Sequence, residues 1–100
     1  MFELQETLEF AAWIESLRDQ VAKRRILQRL VRLATGHFGD AKPIEGGVSE
    51  LRFHFGPGYR VYFFRRDDGV VIILLAGGDK DSQRRDIERA KLLADRERSA

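Results

Sequence analysis

The sequence predicts an α+β fold of element order β-α-α-β-β-β-α: a small, mainly antiparallel sheet with an N-terminal helical hairpin and a C-terminal helix. Three observations predict it. Apolar residues recur at helical spacing in two successive segments within 7–34, they alternate at strand spacing over 48–64, and an unbroken apolar run follows at 70–76. Gly56-Pro57-Gly58 and Asp67-Asp68-Gly69 supply the tight turns between the strands. One hundred residues make one domain, 1–100, with a single core and no internal repeat or linker.

Phe2 and Leu4 alternate with acids, which predicts a short first strand at 2–6. Thr7 is placed to cap a helix running to about Leu17, in which Phe10, Trp13, Ile14 and Leu17 share one stripe. Trp13 is in register with that stripe and reads as a packing residue. Asp19 caps a longer helix to Ala34, which Gly36 ends. Ile26, Leu27, Leu30, Leu33 and Ala34 form its buried side. Arg25, Arg29 and Arg32 recur on the opposite flank as a basic stripe, either a solvated face or a grip on a nucleic-acid backbone.

Residues 37–47 hold three glycines and a proline without periodicity and read as a connecting loop, His37 included. Alternation then sends Leu51, Phe53 and Phe55 to a core face and Glu50, Arg52 and His54 to the other. Beyond the Gly-Pro-Gly turn, Val61 and Phe63 take one side and Arg60, Tyr62 and Phe64 the other. If the apolar faces coincide, Arg52, His54, Arg60 and Tyr62 gather on one exposed surface. The run at 70–76 is apolar on both faces and is expected as a central strand covered from both sides. Gly77-Gly78 releases it. Asp81 or Ser82 caps a last helix that packs through Ile87, Ala90, Leu93 and Ala94, and 96–100 are expected to fray. Asp79 and Asp81 read as residues of the helix start in preference to cation ligands.

With 43% hydrophobic and 34% charged residues, the composition excludes a disordered chain, and zero cysteines exclude a disulfide framework and thiolate zinc sites. The first ten residues carry acids where a signal peptide carries bases, and no apolar run reaches membrane-span length, so the expected location is cytoplasmic with no membrane partner. The net charge is only +2, yet 18–32 sets Arg18, Lys23, Arg24, Arg25, Arg29 and Arg32 against Asp19 alone. Such a local positive field suits a phosphate-bearing partner or an acidic protein.

The element order, GVSELRFHFGPGYRVYF at 47–63 and LLAGGDKDSQRRDI at 74–87 resemble the RelE/ParE superfamily of toxin–antitoxin toxins, within it the HigB-like group of addiction module killer proteins. The likeness runs from Phe10-Ala11-Ala12-Trp13 through the last helix. It implies a RelE-like fold and a growth inhibitor, commonly an endoribonuclease (mRNA interferase) that cuts messenger RNA on the ribosome and inhibits translation. A cognate antitoxin, in this group a helix-turn-helix protein, silences it. No metal and no cofactor are implied. Carried over by motif, the site residues are Arg52, Arg60 and Lys80; His54, on the face of Arg52, is the expected titrating group, and Tyr62 with the helix stripe of Arg25, Arg29 and Arg32 supplies the expected RNA contacts. The RNA-cleaving relatives often carry a tyrosine near the last helix. This chain has none after Tyr62, which leaves proton transfer to Tyr62 or His54.

Metal-independent RNA cleavage uses the ribose 2′-hydroxyl as nucleophile, so the protein must supply a proton acceptor, a proton donor and positive charge around the phosphorus. Arginine forks suit phosphate oxygens, Lys80 acts as a point charge, and Glu50 is a second candidate base. Water-covered cross-strand polar residues are the bland alternative for Arg52 and Arg60. A toxin of the ParE branch, which poisons DNA gyrase or another protein target without cutting RNA, is the alternative function, and a prophage-associated relic whose only surviving partner is the antitoxin is a third.

Overall fold

The computed structural model describes residues 1–66 and 69–99. Its elements are β1 (Glu3–Glu6), α1 (Leu8–Ser16), α2 (Gln20–Ala34), β2 (Ala41–Pro43), β3 (Ser49–Arg52), β4 (Arg60–Arg66), β5 (Val71–Gly78) and α3 (Gln83–Ser99). The sheet order is β1-β5-β4-β3-β2, with β1 parallel to β5 and the other pairs antiparallel.

Both N-terminal caps form as the sequence predicts. Thr7 Oγ1 accepts from the Phe10 N–H at 3.0 Å and donates to the Leu75 carbonyl at 2.7 Å, so the cap also ties α1 to the sheet. Asp19 accepts from the Ala22 N–H at 3.1 Å, and Gly36, at φ 93°, closes α2 by donating to Leu33. The hairpin α1–α2 covers one sheet face, where Phe10, Ile14, Ile26 and Leu33 bury Leu51, Val61 and Phe63. Helix α3 covers the other, where Ala90, Leu93 and Ala94 meet Tyr62, Phe64, Ile73 and Leu75. β5 lies inside the sheet between β1 and β4 and is covered on both sides, as its doubly apolar run predicts.

That double cover corrects the expected division of the hairpin into a core face and an exposed face. Tyr62 and Glu50 are buried under α3, and polar chemistry is confined to the sheet end nearest Gly58. Within 37–47 a short edge strand, β2, pairs with β3, so this segment is not all loop. β3 stops at Arg52, placing His54 outside the ladder. Leu27 is 42% exposed instead of buried, whereas Ala22, one turn before Ile26, is buried. The C-terminal end does not fray over 96–99. Arg96 grips both oxygens of Glu9 at 2.8 and 3.0 Å, and Arg98 donates to the Gly46 carbonyl at 2.6 Å. Of the predicted turn at 67–69, Asp67 and Asp68 lie outside the described residues, as does Ala100.

Candidate functional site

Arg52 and Arg60 are partners across the β3–β4 ladder, and Glu50 and Tyr62 are the next pair on the same side. Directly opposed antiparallel residues point the same way, so all four side chains project toward α3. Across β4 from Arg60 stands Gly78. A bulge at the level of Tyr62 and Phe63 resets the alternation of β5, aiming Gly77 at α1 and Gly78 at α3. A Cβ on Gly77 would lie 2.2 Å from the Trp13 ring, and one on Gly78 would lie 1.8 Å from Asp86 Oδ2. The glycine pair therefore lets an aromatic ring and a buried carboxylate close on one strand from opposite faces. Ser82 donates a close hydrogen bond to that carboxylate.

Arg60 is only 8% exposed. Its Nη1 donates to the carbonyls of Gly58 and Tyr59 at 3.0 and 3.3 Å, and its Nε faces Glu50 Oε1 at 3.8 Å. Glu50, itself buried, accepts from Gln83 Nε2 at 2.8 Å. Tyr62 is fully buried, which corrects its expected place on the exposed surface. Burial, then the charge of Glu50, pushes its phenol well above the ordinary value. Lys80 is exposed beside the hairpin end. Its N–H donates to the Pro57 carbonyl at 3.3 Å, and its Cβ and Arg60 Nη1 both lie within 4 Å of where a Gly58 Cβ would stand. Gly58, at φ 76°, thus lets the two cations flank the same turn.

His54 and Arg52 meet on Asp40. Arg52 Nη2 donates to Asp40 Oδ1 at 3.2 Å, and His54 Nε2 makes a close hydrogen bond to Oδ2. The Arg52 N–H donates to the Asp40 carbonyl at 2.9 Å, fixing the carboxylate beside both groups. The hydrogen bond from His54, reinforced by Arg52, holds the Asp40 carboxyl below its usual range. His54 is 72% exposed and opens onto a cleft of about 240 Å³ shared with Arg25, Arg29 and Arg32. The three arginines do not form a free outer stripe. Arg25 lies over the Phe55 ring at 4.5 Å and Arg29 over Phe53 at 4.6 Å, with Arg29 Nη1 donating to the Arg52 carbonyl at 3.1 Å. Arg32 remains exposed.

The structure thus links Lys80, Arg60, Arg52 and His54 in an arc around one hairpin end, and separates Tyr62 from it by burial. Asp40 is the member that sequence reasoning missed. Its signals were its place in the glycine-containing segment before β2, where an acid reads as a turn residue, and at the end of the 36–40 stretch within the span of the family likeness. Asp79 holds the turn before α3 by accepting from the N–H groups of Asp81 and Ser82 at 3.0 and 3.1 Å. Among the described residues no group of three or more acids or histidines is placed to hold a metal ion, and no helix is long and apolar enough to cross a membrane.

A family model described as "Phage derived protein Gp49-like (DUF891)" matches residues 12–98. An uncharacterized protein of Haemophilus influenzae is 47% identical over 92 residues, 92% of each chain. The E. coli toxin RelE, as a mutant in the free state, superposes with a TM-score of 0.69 at 17% identity, covering 90% of this chain and 95% of that one. A chain of the intact E. coli RelBE toxin-antitoxin complex superposes with a TM-score of 0.65, also at 17% identity, over 79% of this chain and 96% of the other. The fold is that of RelE, as the motif resemblance implies.

Proposed function

The chain belongs to the phage-derived Gp49-like family, and from that premise we propose that it is the toxin of a toxin–antitoxin pair, a metal-independent endoribonuclease that cuts messenger RNA on the ribosome. One observation supports the reading most: Arg52, Arg60 and Lys80 gather at one end of the hairpin, with a single exposed imidazole linked to Arg52 through Asp40. Arg52 and Lys80 reach solvent and bind the scissile phosphate, while Arg60 holds the 56–59 turn and adds its field from beneath.

His54 takes the proton of the ribose 2′-hydroxyl as the 2′-oxygen bonds to phosphorus. The bond from phosphorus to the 5′-oxygen breaks, and that oxygen takes a proton from solvent, leaving a 2′,3′-cyclic phosphate and a 5′-hydroxyl. The exposed part of the α2 cleft, Arg32 above all, carries the RNA backbone without reading bases. A cognate antitoxin of the helix-turn-helix kind neutralises the protein in the cytoplasm. The shared fold with a chain of the RelBE toxin-antitoxin complex supports an antitoxin partner, and its helix-turn-helix kind follows from the motif resemblance alone.

Mapping transcript 5′ ends after induction in bacteria tests the reading. Codon-registered 5′-hydroxyl ends are expected. Intact transcripts with stalled replication would replace it by the gyrase-poisoning alternative.

A further inference from the structure

We propose that Asp40 is the positioning residue of the site, setting the ring of His54 and the fork of Arg52 from one carboxylate. The inference rests on the ribonuclease reading and extends it to a residue outside the basic set.

The two oxygens of Asp40 are divided between the two groups: Oδ1 takes Arg52 Nη2 at 3.2 Å and Oδ2 takes His54 Nε2. An ionised carboxylate can only accept, so the proton on the neutral ring sits at Nε2 and the lone pair at Nδ1. Nδ1 makes no hydrogen bond among the described residues, and the ring is largely open to solvent. The atom left free is therefore the one that can accept a proton from a ribose hydroxyl. When it does, the new imidazolium already faces a carboxylate, which favours the charged form at the moment it appears. The other charged groups facing the ring oppose this. Arg52 comes from β3, and Arg25, Arg29 and Arg32 of α2 share its cleft. Without Asp40, His54 would have to gain a proton against four cations. The backbone supports the arrangement, because the Asp40 carbonyl accepts from the Arg52 N–H at 2.9 Å and so holds the Asp40 main chain beside β3.

The test compares Asp40→Asn and Asp40→Glu with wild type on model RNA, in wild-type and His54→Ala backgrounds. Loss of a carboxylate that orients a metal-bound histidine costs about 10–100-fold, and a loss of the same order is expected for this histidine–aspartate pair. Asp40→Asn is expected to lower kcat by that order with KM little changed and to move the pH–rate profile toward lower pH, whereas Asp40→Glu recovers part of kcat. In His54→Ala, Asp40→Asn is expected to cost clearly less than in wild type, leaving only the share that acts through Arg52. Separately, proton–nitrogen spectra of the full chain without RNA should show a His54 Nε2–H protected from exchange in wild type and lost in Asp40→Ala.

Unchanged kcat and pH profile in Asp40→Asn, or the same loss with and without His54, overturns the positioning role alone. A wild type that cleaves no RNA, on or off ribosomes, while keeping the protected Nε2–H overturns the ribonuclease reading and the role with it.

Discussion

Arg52 and Arg60 face each other across two strands and project to the same side, yet they occupy different electrostatic settings. Arg52 is a third exposed and shares Asp40 with His54, whereas Arg60 is buried and looks onto Glu50, an acid only 2% exposed. The same residue type at paired positions therefore carries different risks on substitution.

Arg52→Ala and Lys80→Ala are expected to abolish growth arrest while leaving thermal and urea unfolding close to wild type, since neither side chain is buried. Arg60→Ala removes the cation facing buried Glu50 and the two hydrogen bonds to the 56–59 turn, at a cost on the order of 2 kcal/mol or more. Glu50→Gln added to Arg60→Ala should restore part of that loss. Urea midpoints of the four variants check this. An Arg60→Ala protein as stable as wild type would show that the Glu50 contact contributes nothing.

Gly77→Ala and Gly78→Ala should each destabilise by about 1–3 kcal/mol through overpacking, even though both residues lie in an extended strand where alanine is conformationally acceptable. The two differ in readout. Gly77→Ala displaces the indole and changes Trp13 fluorescence, whereas Gly78→Ala presses on Asp86 at the start of α3 and leaves the emission unchanged.

Arg96 pulls the Glu9 carboxyl from an ordinary 4.5 down to about 2, chiefly by hydrogen bonding. A depressed folded-state value stabilises the protein above pH 4.5, and the contribution disappears as pH falls through about 2. Arg96→Ala should therefore lower Tm by a few degrees at pH 6, and the gap to wild type should close on titration toward pH 2. Scanning calorimetry across that range checks it. A gap independent of pH would mean that Arg96 acts by packing alone.

Arg32→Ala should weaken binding to single-stranded RNA and flatten the plot of log K against log salt by about 0.7, the share of one phosphate contact, with stability untouched. Arg29→Ala should instead lower stability, because its guanidinium lies on Phe53 and supports the Arg52 carbonyl. Filter binding at four salt concentrations and a melting curve separate the two effects.

Local chemistry was written plainly in the chain. Thr7 and Asp19 bond the same helix N–H groups that their positions predict, the run from Val71 becomes a covered interior strand, and Arg52 and Arg60 fall on a common side once Leu51 and Val61 share the core face. All of these depend on neighbours close in sequence or on a period of two, and such relations survive without knowing the fold. What α3 covers was not legible. Its 17 residues close over Tyr62 and Glu50, turning an expected exposed surface into interior. Nor could spacing show that Asp40, 14 positions before His54, would meet it, or that Arg25 and Arg29 would turn onto Phe55 and Phe53. The sequence alone determined the three helices, the four longer strands and the side to which Leu51, Arg52, Arg60 and Val61 point. Tertiary packing decided which of those residues water still reaches, because exposure depends on what arrives from a distant part of the chain.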